Sequence, residues 1–137
     1  MERHVVASAA DIPPGGRKIV TVKGRKIGIF RIGDEFFGLI DRCPHQGAPL
    51  CSGEIVSRLV APSPGDYRRT RTGEMIRCPW HCWEFDIRTG KSLCDPGSVQ
   101  ARSFDVAVEA GNALTEGPFV AESVQVSVQE RYVVVTV

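Results

Sequence analysis

Long hydrophobic runs are missing from this 137-residue chain. None approaches the roughly 20 apolar residues that a membrane-spanning helix needs. A charge excess is missing too: 17 basic residues stand against 16 acidic ones, scattered along the chain. That balance excludes the electrostatic footprint of a nucleic-acid or membrane-surface binder. The few aromatics form no basic-and-aromatic stripe on which bases could stack. Apolar residues 5–10 are too few for a signal-peptide core and stop at Asp11. The expectation is therefore a cytoplasmic protein with neither nucleic acid nor membrane among its partners. No Gly-x-Gly-x-x-Gly follows a strand pattern, so the chain does not bind a nicotinamide or flavin dinucleotide in the usual way. Histidine is scarce, with three residues at positions 4, 45 and 81. The five cysteines, at 43, 51, 78, 82 and 94, are an odd number. With no secretory leader, that argues for metal or redox use over a disulfide framework.

What is present reads as strands. Residues 26–32 are isoleucine-rich and lead through Gly33-Asp34-Glu35 into a second run at 36–40, a hairpin pattern. Residues 104–109 and 124–129 alternate apolar and polar, and Val133, Val135 and Val137 continue the period of two. The 14 glycines and 9 prolines fall mostly between these runs. Ile55, Val56, Leu59 and Val60 have helical spacing, but Pro62 and Pro64 follow closely, so a short strand or irregular segment fits equally well. Residues 61–74 form the most loop-like stretch, and no linker separates two domains. The length suits one domain with one modest core.

The chemistry sits in two loops, Cys43-Pro44-His45-Gln46-Gly47-Ala48-Pro49-Leu50 and Cys78-Pro79-Trp80-His81-Cys82-Trp83-Glu84-Phe85-Asp86. Each offers one thiolate and one imidazole at a spacing that lets both turn toward one point. Prolines stiffen the loops, and Gly47 permits a sharp bend. Two cysteines and two histidines suit either a structural Cys₂His₂ zinc site or a [2Fe–2S] centre in which two histidines replace two cysteines on one iron. Zinc modules more often pair Cys with Cys and His with His; here each loop mixes the two.

At residues 12–109 the sequence strongly resembles the Rieske iron–sulfur family, whose pattern is C-x-H, a spacer, then C-x-x-H. The flanks are similar to those of Rieske ferredoxins and of the Rieske domains of ring-hydroxylating oxygenases. The resemblance implies one [2Fe–2S] cluster per chain, with Cys43 and Cys78 on the inner iron and His45 and His81 on the outer one. It implies an all-β fold of layered antiparallel sheets, a β-sandwich with a small cluster-binding subdomain at residues 43–95 inserted into a base formed by residues 1–42 and 96–137. A single Rieske domain then spans 1–137.

Several departures matter. The spacer from His45 to Cys78 holds 32 residues, longer than in most ferredoxin-type members. It reads either as an elongated solvated hairpin or as a partner-docking one, and the first is favoured. Cys82 replaces the usual glycine. It is expected to act as a small apolar side chain, and a Cys51–Cys82 disulfide is not expected. Respiratory members carry an inter-loop disulfide and hydroxyls two and four residues after the second histidine. Here Ala48 and Pro79-Trp80 preclude the disulfide, and Trp83 and Phe85 replace the hydroxyls. Fewer donors to sulfur imply a low potential. Trp80, Trp83 and Phe85 are expected to shield the cluster and fill the core beneath it. Pro96-Gly97 resembles a covering third loop, and residues 111–122 read as an insertion without assigned function.

Only His4 remains beyond the ligand set, which cannot build the two-histidine, one-carboxylate iron site of an oxygenase. The chain is thus expected not to be an enzyme by itself. It is expected to be a ferredoxin component passing single electrons from a reductase to a terminal oxygenase. The alternatives are a small Rieske subunit of a larger redox enzyme, as in some nitrite reductases, and a structural zinc module.

Overall fold

Strands form where the sequence alternates or concentrates β-branched residues. The computed structural model describes residues 3–44, 47–80, 83–92, 99–111, 119–120 and 130–137. At 58–62, 67–72 and 119–120 it describes the backbone alone. The strands are β1 (Arg3–Ser8), β2 (Arg17–Val22), β3 (Arg25–Ile32), β4 (Glu35–Ile40), β5 (Glu54–Ser63), β6 (Asp66–Arg77), β7 (Glu84–Asp86), β8 (Ser103–Ala110), β9 (Phe119–Val120) and β10 (Arg131–Thr136). They make a seven-stranded sheet of order β2-β3-β4-β8-β10-β1-β9 and a three-stranded sheet of order β5-β6-β7. Among the described residues the strand pairings are antiparallel except that of β1 with β9. The all-β antiparallel architecture is the one anticipated. In sequence, the three-stranded sheet lies between β4 and β8.

The expected hairpin at 26–40 is β3 and β4, with Phe30 opposite Phe37 and Ile32 opposite Glu35 across the turn. The alternating run at 104–109 is β8, and the valines at 133 and 135 lie on β10. The alternating run at 124–129 lies outside the described residues. Residues 61–74, read from sequence as loop, instead form the end of β5, a turn at 64–65 and most of β6. Pro62 is tolerated because β5 is an edge strand and the pairing register shifts between Val60 and Ser63, where a missing amide breaks no ladder bond.

Two buried apolar clusters follow from the period of two. Ile27 and Ile29 of β3 join Ile12, Phe36, Val133 and Val135 in the core of the large sheet. Phe30 of the same strand, with Leu39 of β4, joins Leu50, Ile76, Phe85 and Ile87 in a second core shared with the small sheet. Strand β3 therefore touches both cores, which explains its nearly unbroken apolar run. Arg88 adds a polar tie between the sheets. Its Nε donates to Glu74 Oε1 of β6 at 2.9 Å and its Nη1 to Glu35 Oε1 of β4 at 3.1 Å. The guanidinium also lies 4.9 Å from the ring centroid of Phe37.

Candidate metal centre

The first loop leaves β4 and closes on itself. The Cys43 amide donates to the Ala48 carbonyl at 2.8 Å, and the Gly47 amide donates to the Cys43 carbonyl at 2.7 Å. Gly47 has φ +77°, a conformation costly for any residue with a Cβ. The second loop leaves β6 and is spanned by one bond from the Cys78 amide to the Trp83 carbonyl at 2.7 Å, just before β7. His45 and Gln46 in the first loop, and His81 and Cys82 in the second, lie outside the described residues, as do Cys94 and Pro96-Gly97.

The described half of the predicted set lies in one buried cluster. Cys43 and Cys78 are each 1% exposed and belong to one apolar cluster with Ala48, Leu50, Ile76 and Phe85, against which Trp83 packs. Two thiols from separate loops thus face a single water-poor environment. Soft thiolate donors within apolar walls suit an iron–sulfur core. Burial of a thiolate pair without a cation would be costly, so this donor chemistry fits a metal-bound group.

Phe85 is fully buried and Trp83 half-buried, as the shielding role requires. Trp80 is a correction: it is 57% exposed and fills no core. It follows Pro79 at the solvent-facing tip of the second loop, where Pro79 is also exposed. Pro44, Gly47 and Pro49 of the first loop are exposed as well.

Cys51 is a third buried cysteine, 0% exposed and free of any disulfide. Its thiol lies 3.6 Å from the Leu39 and Ile40 carbonyls, to which it donates. Burial, and then the nearby Asp41 charge, push its pKa from 9.0 up to about 12. With no metal bound it is a neutral thiol at neutral pH. It sits against β3 at Gly28, where a Cβ would lie 2.6 Å from the Cys51 Cβ. Sequence reasoning missed this contact. The signal was a glycine inside an isoleucine-rich strand, which marks a close approach.

The family model for the Rieske [2Fe-2S] domain matches residues 2–105. The chain belongs to the Rieske [2Fe-2S] family. Ferredoxin CarAc of Metapseudomonas resinovorans is 29% identical to this Rieske chain over 113 residues, 82% of this chain and 91% of CarAc. The 3-phenylpropionate/cinnamic acid dioxygenase ferredoxin subunit of Escherichia coli (strain K12) is 27% identical over 118 residues, 86% of this chain and 96% of its own. The ferredoxin of carbazole 1,9a-dioxygenase from Nocardioides aromaticivorans IC177 shares the fold, with a TM-score of 0.61 at 23% identity over 97% of both chains. A solved complex of reduced oxygenase and oxidized ferredoxin in carbazole 1,9a-dioxygenase matches at a TM-score of 0.59 and 26% identity, covering 96% of this chain and 91% of that one. Membership in the Rieske family implies a [2Fe–2S] cluster. Among the described residues no helix is long and apolar enough to cross a membrane.

Proposed function

We propose that this Rieske chain is a ferredoxin component that carries single electrons from a reductase to a terminal oxygenase in the cytoplasm. The observation that carries the proposal is the burial of Cys43 and Cys78, from two separate loops, in one apolar cluster. Cys43, His45, Cys78 and His81 hold one [2Fe–2S] cluster per chain, and no residue of the chain is catalytic in itself. The three-stranded sheet and its loops, residues 43–95, are the cluster-binding subdomain, and residues 1–42 and 96–137 are the base.

The cluster supplies a one-electron couple. The chain's own residues set the conditions for it. Phe85, Ile76 and Leu50 exclude water from the thiol side. Trp80 and Pro79, with Pro44 and Pro49, present an exposed, mostly apolar rim to a protein partner. Relatives of this size are named as ferredoxin subunits of dioxygenases, which supports a shuttle over a catalytic role.

Trp83 and Phe85 offer no hydroxyl to the cluster sulfurs, which favours the low half of the Rieske range, about −150 to 0 mV. The test is anaerobic purification followed by iron and sulfide analysis, spin resonance of the reduced protein and voltammetry. Two irons and two acid-labile sulfides per chain (about 1:1) with a Rieske-type signal are expected. A zinc-loaded, colourless protein would remove the electron-transfer reading. A midpoint above about +150 mV would remove the low-potential one.

A further inference from the structure

We infer, resting on the ligand assignment proposed above, that the Leu50–Ser52 turn and Gly53 form a positioning device for both ligand loops, with Arg17 and Asp41 as its positioning residues. Leu50 and Cys51 are both fully buried. The Cys51 amide donates to Asp41 Oδ1 at 2.8 Å. The Cys51 carbonyl accepts from Arg17 Nη1 at 3.0 Å, and the same Nη1 donates to the Gly53 carbonyl. An anion therefore holds the donor end of this residue and a cation holds its acceptor end, the stronger charge-assisted kind of hydrogen bond.

Both charged groups are anchored in the large sheet. Arg17 begins β2, and the Asp41 amide donates to the Lys26 carbonyl of β3 at 2.8 Å. The turn in contrast belongs to the ligand loops. Asp41 stands two residues before Cys43, and the turn follows Pro49 directly. On its far side Gly53 abuts the second loop: a Cβ there would collide with the carbonyl oxygen of Arg77, the residue before Cys78. The turn thus touches the chain beside both proposed thiolate ligands while two side chains fix it to the base. A shift of the turn changes the spacing of Cys43 and Cys78. An electron-transfer centre needs that spacing held by a supporting shell.

The full-length, cluster-loaded protein tests this through Arg17→Met, Asp41→Ala and the conservative Asp41→Asn, with Arg88→Met as control. Spin-resonance line width and midpoint potential are read beside the thermal midpoint. Arg17→Met and Asp41→Ala should broaden the reduced-state signal. They should also change the reduced-to-oxidised ratio at the wild-type midpoint by about threefold or more. Asp41→Asn keeps an acceptor oxygen and should stay near wild type. Arg88→Met, which loosens the sheets elsewhere, should lower thermal stability without moving either redox reading. An unchanged line width and midpoint in Arg17→Met overturns the inference, as does an equal change in Arg88→Met. Should Asp41→Ala fail to fold, Arg17→Met decides, because Arg17 is a surface residue. A wild-type protein without iron or sulfide instead overturns the ligand assignment itself.

Discussion

Cys51 shows how a single residue can be decisive yet unreadable beforehand. Its thiol ionises near 9.0 in an ordinary setting and near 12 in the fold, first through burial and then through the Asp41 charge. Below pH 9 both folded and unfolded chains keep the proton, and the full contribution is present. Between 9 and 12 the unfolded chain loses a proton that the folded chain retains. Stability therefore falls as pH rises, by about 1.4 kcal/mol per unit from this group. Cys51→Ala costs packing at neutral pH but removes that slope, so the stability curves of wild type and variant should converge between pH 9 and 11. Urea midpoints across that range measure it, and curves that stay parallel refute it. Cys43 and Cys78 stood out as candidate ligands because the Cys-x-His and Cys-x-x-His spacings are local in sequence. Cys51, Asp41 and Arg17 did not, because they recognise backbone amides and carbonyls that only the tertiary fold brings near.

At the scale of elements, legibility followed the period of two. β3, β4, β8 and β10 each bury one face or two, and their apolar residues show it. The spacer reads from sequence as an elongated hairpin, as β5 and β6 are, but its tip at 61–74 reads as loop because Pro62, Pro64, Gly65 and a run of arginines resemble one. Yet antiparallel pairing satisfies backbone groups whatever the composition. The two-residue parallel match of β9 to β1 left no mark in the sequence. Neither did the tie between the sheets. Arg88 joins β4 and β6 through two carboxylates and a ring. Its side chain is 32% exposed, so solvent screening leaves the ion pairs modest. Together with the cation–π contact they contribute about 1–2 kcal/mol. Arg88→Met should lower unfolding stability by that amount, and the loss should shrink in high salt. Denaturation at about 0.05 and 1 M salt reads it, and a salt-independent loss would mean packing, not charge, is responsible.

At the scale of the whole molecule, the two cores have different dependencies. The core of the large sheet is built from its own strands and the segment between β1 and β2. The second core needs both sheets, both loops and the thiols of Cys43 and Cys78. On the proposed ligand assignment, a bound cluster cross-links the two loops and removes conformational freedom from that core alone, since metal binding and local folding are linked. Without it, the loops are held by short backbone bonds such as Cys78 to Trp83, and the small sheet by the Glu74 carbonyl accepting from the Ile87 amide at 3.0 Å. Local openings then follow the weaker unit first. Anaerobic chelation of the iron should therefore speed hydrogen exchange at the amides of Cys78, Ile87 and β7 by about tenfold or more, equivalent to roughly 1.4 kcal/mol of local stability. The amides of β10 should stay protected, because its pairing with β1 and β8 and its core do not involve the ligand loops. Exchange read by mass spectrometry on holo and chelated protein separates the outcomes. Uniform loosening of both sheets would mean that the large sheet depends on the cluster after all, and equal exchange in the two states would mean that the ligand loops hold their shape without it.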